Sequence, residues 1–243
     1  MNTRRSTQLL LSFISICIIN IASAQHAHAN VWKSIFISGD DSIPNFDQGR
    51  LDLAELFSQI GVIAPVHHTS SMQIASGGSA RLATLRNIAE SFHQLDVKAN
   101  EGCLIHMTSH GIQNGGFYLS QSSPLLPRTF ARMVDAACGD QPTIVLISAC
   151  YSGQFLINEL KGDNRIIMTA AIADRPSFGC STDTKYTYWD GCLLSEIPKS
   201  ANWNEVYANV QACVQTKEAL IGVSPSLPQA FFGANTSGWV ILE

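Results

Sequence analysis

The sequence predicts an α/β fold, a three-layer sandwich with a mostly parallel sheet flanked by helices. Three observations lead there. Several short apolar runs rich in β-branched residues, such as Ile144-Val145-Leu146-Ile147, have the make-up of strands buried on both faces. These runs alternate along the chain with segments whose apolar residues recur at helical spacing. The 243 residues, 46% of them hydrophobic, are enough to enclose one sizeable core.

Taken in order, residues 31–38 contain Ile35, Phe36 and Ile37, stop at Gly39-Asp40-Asp41 and read as the first strand. Residues 41–49 are a polar, proline-containing loop. Leu53, Leu56, Phe57 and Ile60 space a helix over residues 51–60 that Gly61 ends. A second strand is expected at 62–66, with His67-His68 at its end on the surface, and a Ser/Gly-rich loop at 70–80. Leu82, Leu85, Ile88, Ala89, Phe92 and Leu95 share one face of an amphipathic helix. The next buried strand, Cys103-Leu104-Ile105-His106-Met107, ends at Thr108-Ser109-His110-Gly111. Polar turn residues 112–116 and a short hairpin strand at 117–119 follow, then a helix over 126–137. The run beginning at Thr143 is a central strand that reaches Ser148, Ala149 and Cys150. A short helix is expected at 155–160, a strand at 165–171, a polar and aromatic loop at 174–191, and a helix carrying Trp203, Val206, Val210 and Cys213.

The first 29 residues stand apart. Arg4 and Arg5 precede an apolar stretch over 9–21, followed by Ala22-Ser23-Ala24 and Ala27-His28-Ala29. Charge, apolar run and small-x-small sites in that order are the pattern of a secretory signal peptide. Residues 1–29 are therefore read as a signal and 30–243 as one domain, periplasmic or secreted, without a stable membrane span once the signal is cleaved. Cys103, Cys138, Cys150, Cys180, Cys192 and Cys213 then belong to the mature chain, where disulfides are permitted. Their spacing matches neither a zinc site nor a redox CxxC pair, and Cys103 reads as a buried small hydrophobe. A net charge of −4 without a Lys/Arg cluster excludes a nucleic-acid surface.

Two buried strands end in reactive side chains, His110 and Cys150. Adjacent parallel strands bring their carboxyl ends together, where open α/β sheets hold their ligands. A cysteine nucleophile needs a base or proton donor close in space rather than in sequence. Gly111 lets a carbonyl approach the backbone, and its N–H with that of Cys150 would form an oxyanion hole. His106 lies four residues before His110, but on a strand that spacing does not bring two ligands together, and no metal or other cofactor is expected.

His110-Gly111 before Ala149-Cys150, each pair after an apolar strand, resembles the caspase–legumain–gingipain group of cysteine peptidases. Thr169-Ala170-Ala171 followed by Ser177-Phe178-Gly179-Cys180 is similar to the legumain family, especially its short bacterial members, over residues 31–194. The caspase signature around the cysteine is missing. The resemblance implies a caspase/hemoglobinase-like fold and peptide or protein substrates. It implies an acyl-enzyme on Cys150, with His110 as general acid and base, and Asn45, in Asn45-Phe46, as the residue orienting the histidine. It places Asp47, Ser148, Ser177 and Asp190 in the substrate pocket. Asp47 stands where the family has a basic residue, and with Asp190 it would favour a basic side chain before the cleaved bond, the alternative being that both carboxylates are solvated loop or cap residues. The same dyad would serve a transpeptidase or transamidase, and a domain of this kind that had lost activity would be a binding module. Beyond the Trp203 helix the sequence offers only a Pro/Ser segment and a short apolar end, so activation by removal of a large C-terminal domain is not expected. Oligomeric state is not legible.

Overall fold

The computed structural model describes residues 29, 31–62 and 64–241, so the proposed signal peptide lies outside the described residues except for Ala29, which is buried in the core. A seven-stranded sheet forms the middle layer. Its strands are β1 (Val31–Ser38), β2 (Val66–Thr69), β3 (Arg81–Leu82), β4 (Glu101–Thr108), β7 (Thr143–Ser148), β8 (Arg165–Thr169) and β9 (Gln229–Phe232), in spatial order β3-β2-β1-β4-β7-β8-β9. Every pairing is parallel except the last, where β9 runs against β8. A small hairpin, β5 (Gly111–Ile112) with β6 (Gly116–Phe117), grows from the end of β4.

Side-chain alternation along the strands builds two cores. Phe36, Leu104, Leu146 and Met168 point to one face and pack with α1 (Pro44–Gln59), α5 (Tyr188–Glu196) and α6 (Trp203–Ile221). Ile37, Ile105, Ile147 and Ile167 point to the other, toward α3 (Leu85–Leu95) and α4 (Pro127–Cys138). Both faces of the central strands are dry, which is why their sequences are continuously apolar. Each face also carries a disulfide: Cys103–Cys138 joins β4 to the end of α4, and Cys192–Cys213 joins α5 to α6. With separations of 35 and 21 residues, loop-closure entropy assigns each about 3 to 4 kcal/mol. Cys103 is thus a cystine half rather than a free packing residue.

Several expected boundaries move for local reasons. Helix α1 begins at Pro44, inside the expected loop, because proline suits the first helical position and Asp47 complements the first-turn dipole. Asn45, Phe46 and Asp47 are therefore helical. Strand β2 starts at Val66, and Val62 makes only an isolated bridge to Trp32. Ser71 caps a short α2 (Met72–Ser76) within the expected 70–80 loop. A 3-10 turn at Ser152–Phe155 replaces the helix expected at 155–160. Thr187 caps α5 by accepting from Asp190 N–H, which ends the long loop and makes Asp190 helical. Strand β9, only four residues long after Pro228, gave no periodic signal. No helix among the described residues is long and apolar enough to cross a membrane.

The pair His67-His68 is not surface. His67 is half-buried, and His68 is fully buried in register with Ile37, with neither ring nitrogen in hydrogen-bond geometry although the Leu82 backbone lies near. Burial, reinforced by the Arg81 guanidinium, pushes His68 down to about 4. Since the unfolded chain protonates this ring near pH 6.5 and the folded one resists, His68 costs nothing above pH 6.5, and stability is lost as the pH falls from there toward 4. Urea unfolding of wild type between pH 7 and 4.5 should show that loss, up to about 3 kcal/mol, and His68→Leu should remove that part of the dependence.

Candidate active site

Strand register brings the chemistry together. Thr108 of β4 is paired with Ser148 of β7, so His110 and Cys150 each lie two residues beyond the last aligned pair. Ser109 N–H donates to Ser148 O at 3.1 Å, continuing the pairing one step past the strands. Gly111, directly after His110, rests on the Cys150 peptide: a Cβ there would collide with the Cys150 carbonyl oxygen and stand 2.7 Å from its carbonyl carbon. Only glycine fits. Gly111 faces Phe117 across the hairpin while the flanking bond runs from Tyr118 N–H to His110 O at 3.0 Å. Gly111 is thus the non-hydrogen-bonded member of that pair, and the hairpin leaves its N–H unused.

After Cys150 the chain reverses sharply. Tyr151 adopts a left-handed conformation with φ 57°, held by its N–H to Arg175 O at 2.8 Å. Gly153 N–H bonds to Ala171 O and Ser152 Oγ accepts from Ala171 N–H, tying the turn to the residues after β8. The half-buried thiol faces Ser177: its Sγ lies 3.3 Å from Ser177 N–H, 3.7 Å from Ser177 Oγ and 3.5 Å from Ser177 O. The backbone N–H and hydroxyl of one residue therefore converge on the sulfur, with the carbonyl oxygen of the same residue beside them.

His110 is more open, its side chain 42% exposed. The ring of Phe46 meets it edge-on with centroids 5.1 Å apart, and Tyr118 is tilted against it at 6.5 Å. Its Nε2 faces the carboxylate of Asp40, 3.6 Å from Oδ2. Asp40 was not singled out in the sequence. It follows Gly39, at the carboxyl end of the strand next to β4, and that adjacency was its only signal.

The other expected residues are in the neighbourhood but serve different partners. Asn45 makes no hydrogen bond to His110, and its buried Oδ1 has no hydrogen-bond partner. Its Nδ2 donates to Gly179 O at 2.7 Å and approaches Ser181 O and Thr184 Oγ1. Lys185 Nζ and Tyr186 OH reach Asp52, so α1 holds the 179–187 loop at two points. Asp47 forms a two-pronged pair with buried Arg50, at 2.9 and 3.1 Å, and Arg50 Nη1 lies 2.8 Å from His67 Nδ1. Asp190, fully buried, is 2.9 Å from His106 Nε2 and accepts from Thr108 Oγ1 at 2.7 Å. His106 and Thr108 alternate onto the α5 face of β4, so His106 is a buried partner of α5. Ser148 is also inward, its Oγ 3.0 Å from Thr187 Oγ1. Neither carboxylate expected in the pocket is free. Cys180 is half-buried, and burial, with Cys150 and Asp190 nearby, pushes its thiol up to about 12.

A thiol and an imidazole at neighbouring strand ends of a parallel sheet place the chain among α/β proteins built for thiol chemistry. The model of the Peptidase C13 family matches residues 79–229, more than half of the chain, and the chain belongs to that family, the legumain-type cysteine peptidases. The mostly parallel sheet with helices on both faces agrees with the caspase-like fold of these enzymes. No curated protein matches the chain significantly. The matched segment contains His110, Cys150, Ser177 and Asp190, whereas Asp40, Asn45 and Asp47 precede it.

Two substitutions check this geometry. Gly111→Ala should displace the Cys150 peptide and lower peptide hydrolysis by at least about a hundredfold, read as kcat/KM. Asp190→Ala strands the His106 ring and the Thr108 hydroxyl in the core, and urea unfolding should show a loss of about 3 to 5 kcal/mol.

Proposed function

We propose that the chain is a secreted or periplasmic endopeptidase in which Cys150 attacks the scissile carbonyl and His110 moves the protons. The observation that carries this reading is the seating of Gly111 on the Cys150 peptide, beside the histidine. That contact, with the β4–β7 register, supports assigning the nucleophile, the base and two backbone N–H groups to one site beyond the sheet. The Cys150 thiolate adds to the carbonyl carbon, and the developing oxyanion is met by the N–H groups of Gly111 and Cys150. Protonated His110 delivers its proton to the leaving amine as the C–N bond breaks, leaving a thioester. The neutral ring then takes a proton from water, whose oxygen attacks the thioester and releases the thiol.

Export is supported by the signal-like N-terminal sequence and by two disulfides on opposite faces of the sheet. An uncharged side chain before the cleaved bond is supported by the engagement of Asp47 with Arg50 and of Asp190 with His106 and Thr108. A buried carboxylate already paired offers a lysine or arginine little return for its lost hydration.

Profiling the mature protein on a peptide library should show cleavage after uncharged residues. Cys150→Ala and His110→Ala should each lower kcat/KM by at least about a thousandfold, with unfolding midpoints near wild type. Turnover in Cys150→Ala equal to wild type would sink the reading. Products extended by an added amine, without hydrolysis, would reassign the reaction to acyl transfer.

A further inference from the structure

We infer that Asp40, braced by Ser42, is the positioning residue for His110. Three observations converge on it. Asp40 is 4% exposed, and its Oδ2, the oxygen nearest His110 Nε2 at 3.6 Å, also accepts a hydrogen bond from Ser42 Oγ. The backbone on which it sits is held from two sides: Gly39 N–H donates to Thr108 O at 3.0 Å and Gly39 O accepts from Ser120 N–H at 2.8 Å. Asn45, the residue expected to orient the histidine, gives its Nδ2 to the Gly179 and Ser181 carbonyls and makes no hydrogen bond to the ring, its Oδ1 having no partner.

The surroundings leave Asp40 as the group suited to the task. Against the His110 ring lie the Tyr118 ring from the hairpin, the Phe46 ring from α1 and Asp40 from the β1–α1 connection, and Cys150 follows the end of the neighbouring strand β7. Asp41, beside it, is reached by Ser120 Oγ, and Asp47 on α1 is paired with Arg50. Asp40 is therefore the carboxylate directed at the ring. A separation of 3.6 Å is longer than a hydrogen bond, as resting catalytic contacts often are before the ring is protonated in the reaction.

The role follows from the two nitrogens of the ring. When Cys150 gives up its proton, His110 carries N–H on both nitrogens. The Nε2–H donates to Asp40 Oδ2, and Nδ1 is left to exchange protons with Cys150, the leaving amine and the hydrolytic water. Ser42 holds the carboxylate so that its Oδ2 remains in place. This inference rests on the Cys150–His110 reading.

The test is steady-state peptide hydrolysis by the mature protein across pH 5 to 9, comparing wild type, Asp40→Asn and Ser42→Ala. Asp40→Asn should lower kcat about 10- to 100-fold with KM changed less than about threefold, and should move the alkaline limb of the kcat/KM profile to lower pH. Exposed Ser42 is replaceable without disturbing the core, and Ser42→Ala should shift both quantities the same way by a few-fold. A wild-type kcat and profile in folded Asp40→Asn would overturn the inference. So would a fall in kcat matched by an equal loss of stability with the pH profile unmoved. If Asp40→Asn does not fold, an unchanged rate and profile in Ser42→Ala overturns it. Turnover independent of Cys150 in otherwise wild-type protein would instead be a failure of the dyad itself.

Discussion

The parallel pairing of β4 with β7 sets Thr108 opposite Ser148, and the rest of the site follows from that alignment. Strand side chains alternate, so a slip of one residue would turn every inward group outward. In the observed register Leu104, His106 and Thr108 face α5 and α6, Ile105 and Met107 face α3 and α4, and His110 and Cys150 leave the sheet together. The apolar neighbours Ile144 to Ile147 resist such a slip, because both faces of β7 are buried. Core packing thus sets where the two strands deliver His110 and Cys150 before any contact at their ends is made.

The polar groups near the site divide into two kinds. Asp190, His106, Thr108 and Ser148 are buried and satisfy one another or Thr187, fastening α5 to the strands that carry the dyad. Asp47 and Arg50 do the same for α1, and Asn45 extends that hold to the 179–184 backbone. His110, Cys150 and Ser177 keep partial exposure. Residue type alone does not tell a carboxylate that closes a structural network from one left open to a ligand.

Much of this was legible in the sequence. Apolar runs and helical spacing located β1, β4, β7, β8, α3 and α6, because each of these elements is buried over most of its length. The His-Gly and Ala-Cys endings could be paired because parallel strands deliver their carboxyl ends to one edge. What escaped depended on order and depth. Asp40 gains meaning only once β1 is known to lie beside β4. His68 and His106 look polar in sequence, yet the pleat turns them inward. The partner of Cys103 is set by how α4 lies on the sheet, which spacing does not reveal. Pro44 was read as a loop residue although its rigid ring suits a helix start equally well, and that ambiguity moved Asn45 to Asp47 from loop to helix.

Cys180 gives the site an unexpected convenience. Among the described residues it is the only unpaired cysteine besides Cys150, and its thiol is pushed up to about 12. At neutral pH it holds almost none of the thiolate that alkylating reagents require. The other four cysteines among the described residues are joined in cystines, and Cys17 lies outside those residues. Among the described residues, alkylation of Cys180 in the native fold is therefore suppressed at neutral pH, so label taken up by a chain from which the proposed signal has been cleaved reports on the sulfur beside Ser177.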